Sequence, residues 1–213
     1  MKLFISEIFK SIQGESAFAG RACAFVRLAE CNLSCAWCDT RYAWRNGVAM
    51  GIREILGKVR RLKCPRVEIT GGEPLLQEGV FLLLDRLVRA GYTVLLETNG
   101  SLLLKRVPRR VHVIMDIKTP SSGMAVRNSL ANLRFLKKSD EVKFVVADPG
   151  DLRFAENLIR KYRLDRRFSV LVSPVSGRMA LRRAAAWCLR KGLDVRLNLQ
   201  IHKIIWPSAR RGV

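Results

Sequence analysis

The stretch CAFVRLAECNLSCAWCDT, residues 23–40, decides how this chain is read. Its first part, Cys23 to Ala29, is an apolar run of strand length that ends at a polar loop, the pattern of a buried strand. Its second part places Cys31, Cys35 and Cys38 within eight residues, spaced C-x3-C-x2-C. A short loop with this spacing turns three sulfurs toward one point, and thiolates so gathered bind a soft metal or an iron–sulfur cluster. Three protein ligands on a four-iron cluster leave one iron open, and an open metal position is where chemistry happens. Zinc is the rival. A structural zinc site wants four ligands, often as two C-x2-C pairs. No second pair exists here, and the only histidines, His112 and His202, lie far along the chain. The spacing therefore favours a cluster. Cys23, Cys64 and Cys188 read as small buried hydrophobes.

Outward from this stretch the chain alternates. Strands are predicted over 3–9, 23–29, 67–70, 93–97, 111–117, 142–147, 169–173 and 194–199. Helices are predicted over 51–63, 75–90, 124–137, 151–163 and 179–191, with Pro74 at the first position of the second. Repeated strand–helix alternation means parallel strands with crossover helices. In such folds ligands gather at the strand C-terminal ends. The cysteine loop, GGEP (71–74), ETNGS (97–101), DIKTPSSG (116–123), SPVSG (173–177) and LQIH (199–202) all fall there. A closed eight-fold barrel takes about 250 residues. At 213 residues this chain suits an α/β fold built as a partial, open β/α barrel, in one domain spanning 1–213.

Two features invite a functional reading. Arg27 stands inside the apolar run before the cysteines, where a charge needs a partner or a ligand; an anionic substrate group and a salt bridge are equal candidates. Gly71-Gly72 lets backbone come close to a ligand, although a tight turn alone would also use it. The charge is high: 39 Lys and Arg against 18 Asp and Glu, a net of +21. The basic residues are spread over KVRRLK (58–63), KRVPRR (105–110), RKYRLDRR (160–167) and RRAAAWCLRK (182–191), with no recognised nucleic-acid motif. A solvated basic surface is the plainer reading, and nucleic acid is not expected as a partner. No stretch is apolar and long enough to span a bilayer, so a cytoplasmic protein with reduced thiols is expected.

The motif CNLSCAWC resembles that of the radical S-adenosylmethionine enzymes, and GGEP after the next strand supports it. Within that superfamily the chain is similar to the 7-carboxy-7-deazaguanine synthases. The similarity is carried by EIFKSIQGE (7–15), CAFVRLAECNLSCAWCDT (23–40), TGGEPLLQ (70–77), ETNGS (97–101), MDIKTPSSGM (115–124) and LQIHKIIWP (199–207). The resemblance implies a [4Fe-4S] cluster on Cys31, Cys35 and Cys38, with S-adenosyl-L-methionine on the open iron. It implies radical abstraction of a hydrogen from 6-carboxy-5,6,7,8-tetrahydropterin, ring contraction and loss of ammonia, in queuosine and 7-deazapurine biosynthesis. It also implies a homodimer and a flavodoxin-type electron donor.

Residue by residue, the resemblance assigns Ile12, Gln13, Gly14, Glu15, Arg27, Thr70 and Pro207 to the substrate, with Arg27 on its carboxylate. It assigns Thr40 to Mg2+. Ala36, Trp37, Cys38, Gly72, Glu73, Asp116, Ile117, Lys118, Ser173, Pro174, Val175, Ser176 and Gln200 fall to the cofactor. No residue is singled out as an acid–base catalyst. Two departures stand out: Ser16 replaces the glycine usual after Gln13-Gly14-Glu15, so that turn is expected to differ slightly, and the tail 208–213 brings Arg210 and Arg211 past Pro207.

Overall fold

The computed structural model describes residues 1–45, 47–207 and 211–212. Strands β1 (Lys2–Ile12) and β2 (Ala22–Leu28) form an antiparallel hairpin, and β3 (Val48–Gly51) pairs with the other side of β1. Then follow α1 (Ile52–Arg61), β4 (Arg66–Gly71), α2 (Gly79–Arg89), β5 (Thr93–Thr98), β6 (His112–Ile117) and β7 (Glu141–Val146). The chain ends with α3 (Pro149–Tyr162), α4 (Leu164–Arg167), β8 (Ser169–Pro174), α5 (Leu181–Arg190), β9 (Val195–Leu197) and α6 (Ile201–Ile205). The strands form one sheet in the order β3-β1-β2-β4-β5-β6-β7-β8-β9, parallel from β2 onward. The two ends do not pair, so the barrel is partial and open, as the sequence predicts.

Each parallel strand has two faces because side chains alternate along it. One face packs against the helices. Ala24, Val26 and Leu28 of β2, Val67 and Ile69 of β4, Val94 and Leu96 of β5, and Val142 and Phe144 of β7 share a core with Ile55, Leu83, Leu87 and Ile159. The other face turns to the concave side and carries the strands' polar residues: Arg27, Glu68, Thr70, Glu97, Asp116, Lys143 and Ser173. Each polar residue differs by one position from its core-facing neighbours.

In β1 the alternation is broken. The register with β2 shifts between Ile5 and Glu7, a β-bulge. One extra residue sends the following side chains to the opposite face. Leu3 and Ile5 are buried in the core, whereas Glu7 reaches Arg27 and Phe9 stacks on Phe25. The partial alternation of LFISEIF comes from this bulge.

Two helices depart from expectation. The one predicted for 75–90 is α2 alone, Gly79–Arg89; Pro74 opens a separate 3-10 turn, Pro74–Leu76, capped by the Glu73 carboxylate on the Leu75 amide. The one predicted for 124–137 is replaced by 3-10 turns at Ala125–Arg127 and Leu130–Arg134. Its asparagines hold backbone elsewhere. Asn128 bonds both the amide and the carbonyl of Lys118, and Asn132 bonds the Leu104 amide and the Gly100 and Leu102 carbonyls. Side chains that compete this way draw the chain out of helix.

The end of β4 seats the cysteine loop. A Cβ on Gly72 would lie 1.9 Å from the Glu30 carbonyl oxygen, and one on Gly71 would lie 2.2 Å from that of Leu28. The paired glycines thus allow two backbones to touch; Gly72 and Glu73 donate amide hydrogen bonds to Leu28 and Glu30 at 3.0 and 2.8 Å. Gly72→Ala is expected to lower the melting temperature by at least about 4 °C, since overpacking backbone on backbone leaves nothing flexible to yield. Gly57→Ala, in the exposed middle of α1 with nothing within 4 Å, is expected to raise it by roughly 2–4 °C. Thermal unfolding followed by circular dichroism checks both.

Candidate active site

The concave side of the sheet holds a cavity of about 380 Å³. Its lining comes from both ends of the sheet: Arg27 and Phe25 on β2, Val175 after β8, and Gln200 and His202 after β9. The β1–β2 connection bridges these ends. Gly14 accepts the Ile201 amide at 3.0 Å, and the Ser16 amide donates to Asn198 Oδ1 at 3.1 Å. Ser16 is buried with φ +65. The left-handed conformation costs a non-glycine residue roughly 1 kcal/mol, and the Asn198 bond offsets it. The Ser16 hydroxyl also accepts the Phe18 amide at 3.1 Å. Serine therefore takes the glycine-like conformation, and the turn delivers Gln13 and Glu15 into the cavity.

At the mouth, Cys31, Cys35 and Cys38 all border the cavity, half-buried and free of disulfides. Their loop is tied to the ETNGS segment. Asn99 Nδ2 donates to Asn32 Oδ1 at 3.0 Å and reaches Cys31 Sγ at 3.9 Å, and Asn32 Nδ2 donates to Ser101 Oγ at 2.9 Å. The Leu33 amide donates to Cys31 Sγ at 3.4 Å, and Cys38 Sγ lies 3.6 Å from Thr40 Oγ1. Burial raises the thiols of Cys31 and Cys35, while Lys118 draws both downward. Among the described residues no three His, Cys, Asp or Glu side chains converge on a single metal ion. A cluster binds each thiolate to a different iron and so accepts a wider spread of sulfurs than one tetrahedral zinc.

Arg27 stands in the cavity wall contributed by β2. Its Nε donates to Glu7 Oε1 at 2.7 Å, and Tyr42 donates to the same oxygen at 2.6 Å. Among the described residues this is the only hydrogen bond of the guanidinium, so its two terminal nitrogens face the cavity without a protein acceptor. Burial and Glu7 push the Tyr42 phenol up to about 12, so it stays a donor. Arg211 of the tail stacks 4.6 Å from the Tyr42 ring, and the Gly212 amide donates to Glu7 Oε2 at 3.2 Å.

Further in, four charged groups meet. Lys143 bonds Glu15 Oε2 at 3.3 Å and also Glu97; Gln13 Nε2 bonds Glu68 Oε2. Burial alone would raise all three carboxyls. Lys143 overrides it at Glu97 and holds that group near 2, whereas Glu15 stays raised and Glu68 is raised furthest, with Glu97 beside it. Beyond them Asp116 Oδ2 takes Lys118 Nζ at 2.7 Å, while its Oδ1 is buried with no partner.

The cavity thus gathers Ile12, Gln13, Gly14, Glu15, Arg27, Thr70, Cys31, Cys35, Cys38, Trp37, Thr40, Gly72, Asp116, Lys118, Val175 and Gln200. It leaves out the others. Glu73 is fully buried and accepts from Leu75 N, Thr98 Oγ1 and Asn99 N, a brace between β4 and β5. Ile117 lies in the helix-facing core, and Pro174 is buried at the end of β8. Ala36 binds the Ser122 carbonyl, and Ser176 and Pro207 are exposed. Ser173 acts on Glu15 and Asn198, which meets its Oγ at 2.8 Å. Glu7, Glu68, Glu97 and Lys143 were not foreseen. The signal was present: each is a charge inside a strand, the argument already applied to Arg27.

Residues 27–128 match the Radical SAM superfamily. The chain is 49% identical to the 7-carboxy-7-deazaguanine synthase of Chlorobaculum tepidum, over 99% of this chain and 97% of that one. It is 43% identical to that of Koribacter versatilis, over 98% and 99%. QueE from Escherichia coli has a similar fold, with a TM-score of 0.79 at 24% identity and 94% of each chain covered. Streptococcus suis SuiB bound to S-adenosylmethionine resembles it over 80% of this chain and 48% of its own, at 15% identity and a TM-score of 0.57. The match over nearly the full length to these synthases, together with the cysteine loop at the mouth of a charged cavity, places the chain in the 7-carboxy-7-deazaguanine synthase family of radical S-adenosylmethionine enzymes.

Proposed function

We propose that this enzyme contracts 6-carboxy-5,6,7,8-tetrahydropterin to 7-carboxy-7-deazaguanine with release of ammonia. Product plus ammonia equals substrate, so the reaction is redox-neutral. The observation that carries this reading is Arg27. Glu7, itself held by the Tyr42 hydroxyl, takes one edge of the guanidinium, and the terminal nitrogens present a fork that suits a carboxylate bidentately. The β-bulge is what brings Glu7 round to hold it.

The residues present suit the family's cofactors. Cys31, Cys35 and Cys38 would hold the [4Fe-4S] cluster. Asp116, Lys118, Gly72, Val175 and Gln200 line the cavity near the cysteine loop and would hold S-adenosyl-L-methionine. Cluster and cofactor together, when bound, supply one-electron radical chemistry. The chain's own part is to bind, orient and exclude water. The turn at Ile12 to Glu15 and the Thr70 hydroxyl flank the ring, Arg27 fixes the carboxylate, and the Lys203–Asp39 pair at 2.6 Å ties α6 to the segment after the cysteine loop. Thr40, whose hydroxyl lies 3.6 Å from Cys38 Sγ, would offer one oxygen to Mg2+, an ion that commonly keeps water and substrate as its other ligands.

Two outcomes are expected. Arg27→Ala should lower anaerobic turnover, read as 7-carboxy-7-deazaguanine by mass spectrometry, by about a hundredfold or more, while iron content stays at the wild-type level. Full activity of that variant would remove the carboxylate role. Thr40→Val should raise the magnesium concentration for half-maximal turnover several-fold; an unchanged magnesium titration would dismiss the site.

A further inference from the structure

Lys143 is a buried ammonium, 3% exposed, that neither cluster nor cofactor requires. It stands on the cavity-facing side of β7 and bridges Glu15, from the β1–β2 turn, and Glu97, at the end of β5. No other side-chain hydrogen bond joins these two segments to a common partner among the described residues. A lysine so placed stays charged only if carboxylates compensate it. The reverse also holds: without Lys143, two carboxyls would face one dry volume beside Glu68.

Every other cation lining the cavity is already matched: Arg27 with Glu7, Lys118 with Asp116, Lys203 with Asp39. The acidic wall of Glu15, Glu68 and Glu97 is therefore where a ligand's donors fit. An aminopyrimidinone ring carries a ring N–H beside an exocyclic NH2. That is the same fork a guanidinium offers a carboxylate.

Resting on the reading of the substrate as a carboxylated pterin, we propose that Lys143 is a positioning residue. It fixes Glu15 and Glu97 so that a carboxylate faces the N–H edge of the aminopyrimidinone ring, while Arg27 takes the carboxylate at the other end. Lys143 pulls Glu97 to about 2 and thereby keeps it ionised at working pH. The groups facing this pair are Glu68 from β4, Asp116 and Lys118 from β6, Arg27 from β2, Asp39 after the cysteine loop and His202 from α6. With Lys143 gone, burial and Glu68 would drive the Glu97 carboxyl upward.

The test uses the reconstituted holoenzyme with 6-carboxy-5,6,7,8-tetrahydropterin as probe. Lys143→Met should raise KM for the pterin roughly thirtyfold, the loss of one charge-assisted contact, with iron content and S-adenosyl-L-methionine affinity unchanged. Its pterin affinity should weaken more steeply than the wild type's as pH falls from 8 to 5.5. Lys143→Arg should recover most of the loss. Glu97→Gln, which keeps the lysine in place, should reproduce the rise in KM and gives the same answer if the methionine variant does not fold. An unchanged KM in both variants overturns the proposal. So does joint loss of iron, cofactor and pterin binding, which would mark a structural lysine. Wild-type enzyme that cleaves S-adenosyl-L-methionine but makes no product from the pterin overturns the substrate reading first, and this proposal with it.

Discussion

A charge inside a curled sheet has little water to neutralise it, and the interior of this protein is arranged around that constraint. The parallel strands give one face to the helices and the other to the cavity. On the cavity face stand Arg27, Glu68, Glu97, Asp116 and Lys143, and nearly every charge has a partner on another segment. Burial makes each of these pairs strict, because an ion left without its partner costs several kcal/mol in such surroundings. The pairing therefore does more than balance charge. It sets the orientation of each side chain, which gives a cavity whose donors and acceptors are in place before any ligand arrives.

The exceptions to neat pairing are the informative places. Asp116 leaves one buried oxygen bare, and Arg27 leaves two nitrogens. In a folded protein such groups are normally satisfied. The Arg27 nitrogens open into the cavity, where the substrate carboxylate is expected, and the Asp116 oxygen lies buried in the cavity wall. Glu141 is the other case: its Oε1 takes the Ala17 amide and His112, and its Oε2 has no partner. It anchors the far side of the β1–β2 turn from below the cavity.

The cysteine loop is held by a different device. It rests backbone on backbone against Gly71-Gly72 and is laced to Asn99 and Ser101 by side-chain amides. Glu73 braces the same region from beneath by joining β4 to β5. The motif residues Gly-Gly-Glu and Glu-Thr-Asn-Gly-Ser thus serve largely as a platform for the three thiols. The Glu73 carboxylate, at the tip of β4, is taken up by the Leu75 and Asn99 amides and the Thr98 hydroxyl.

Much was legible in the chain itself. The strand–helix alternation, the open barrel and the cysteine loop follow from local periodicity and spacing, which depend only on neighbours in sequence. Arg27 was legible for the same reason, as a charge in an apolar run. What the sequence could not decide were the relations that depend on pairing register and close approach. The bulge that turns Glu7 toward Arg27 appears only when β1 is laid against β2. The left-handed Ser16 is tolerated because Asn198, 182 residues away, accepts its amide. Whether 124–137 would be helix was settled by Asn128 and Asn132 finding distant backbone to hold. Lys143 became part of the site when the curl of the sheet set it between Glu15 and Glu97. Local pattern determined which elements form and which chemistry the loops carry. Which charges meet was decided by tertiary structure, because electrostatic pairing acts through space and the chain cannot show its distances.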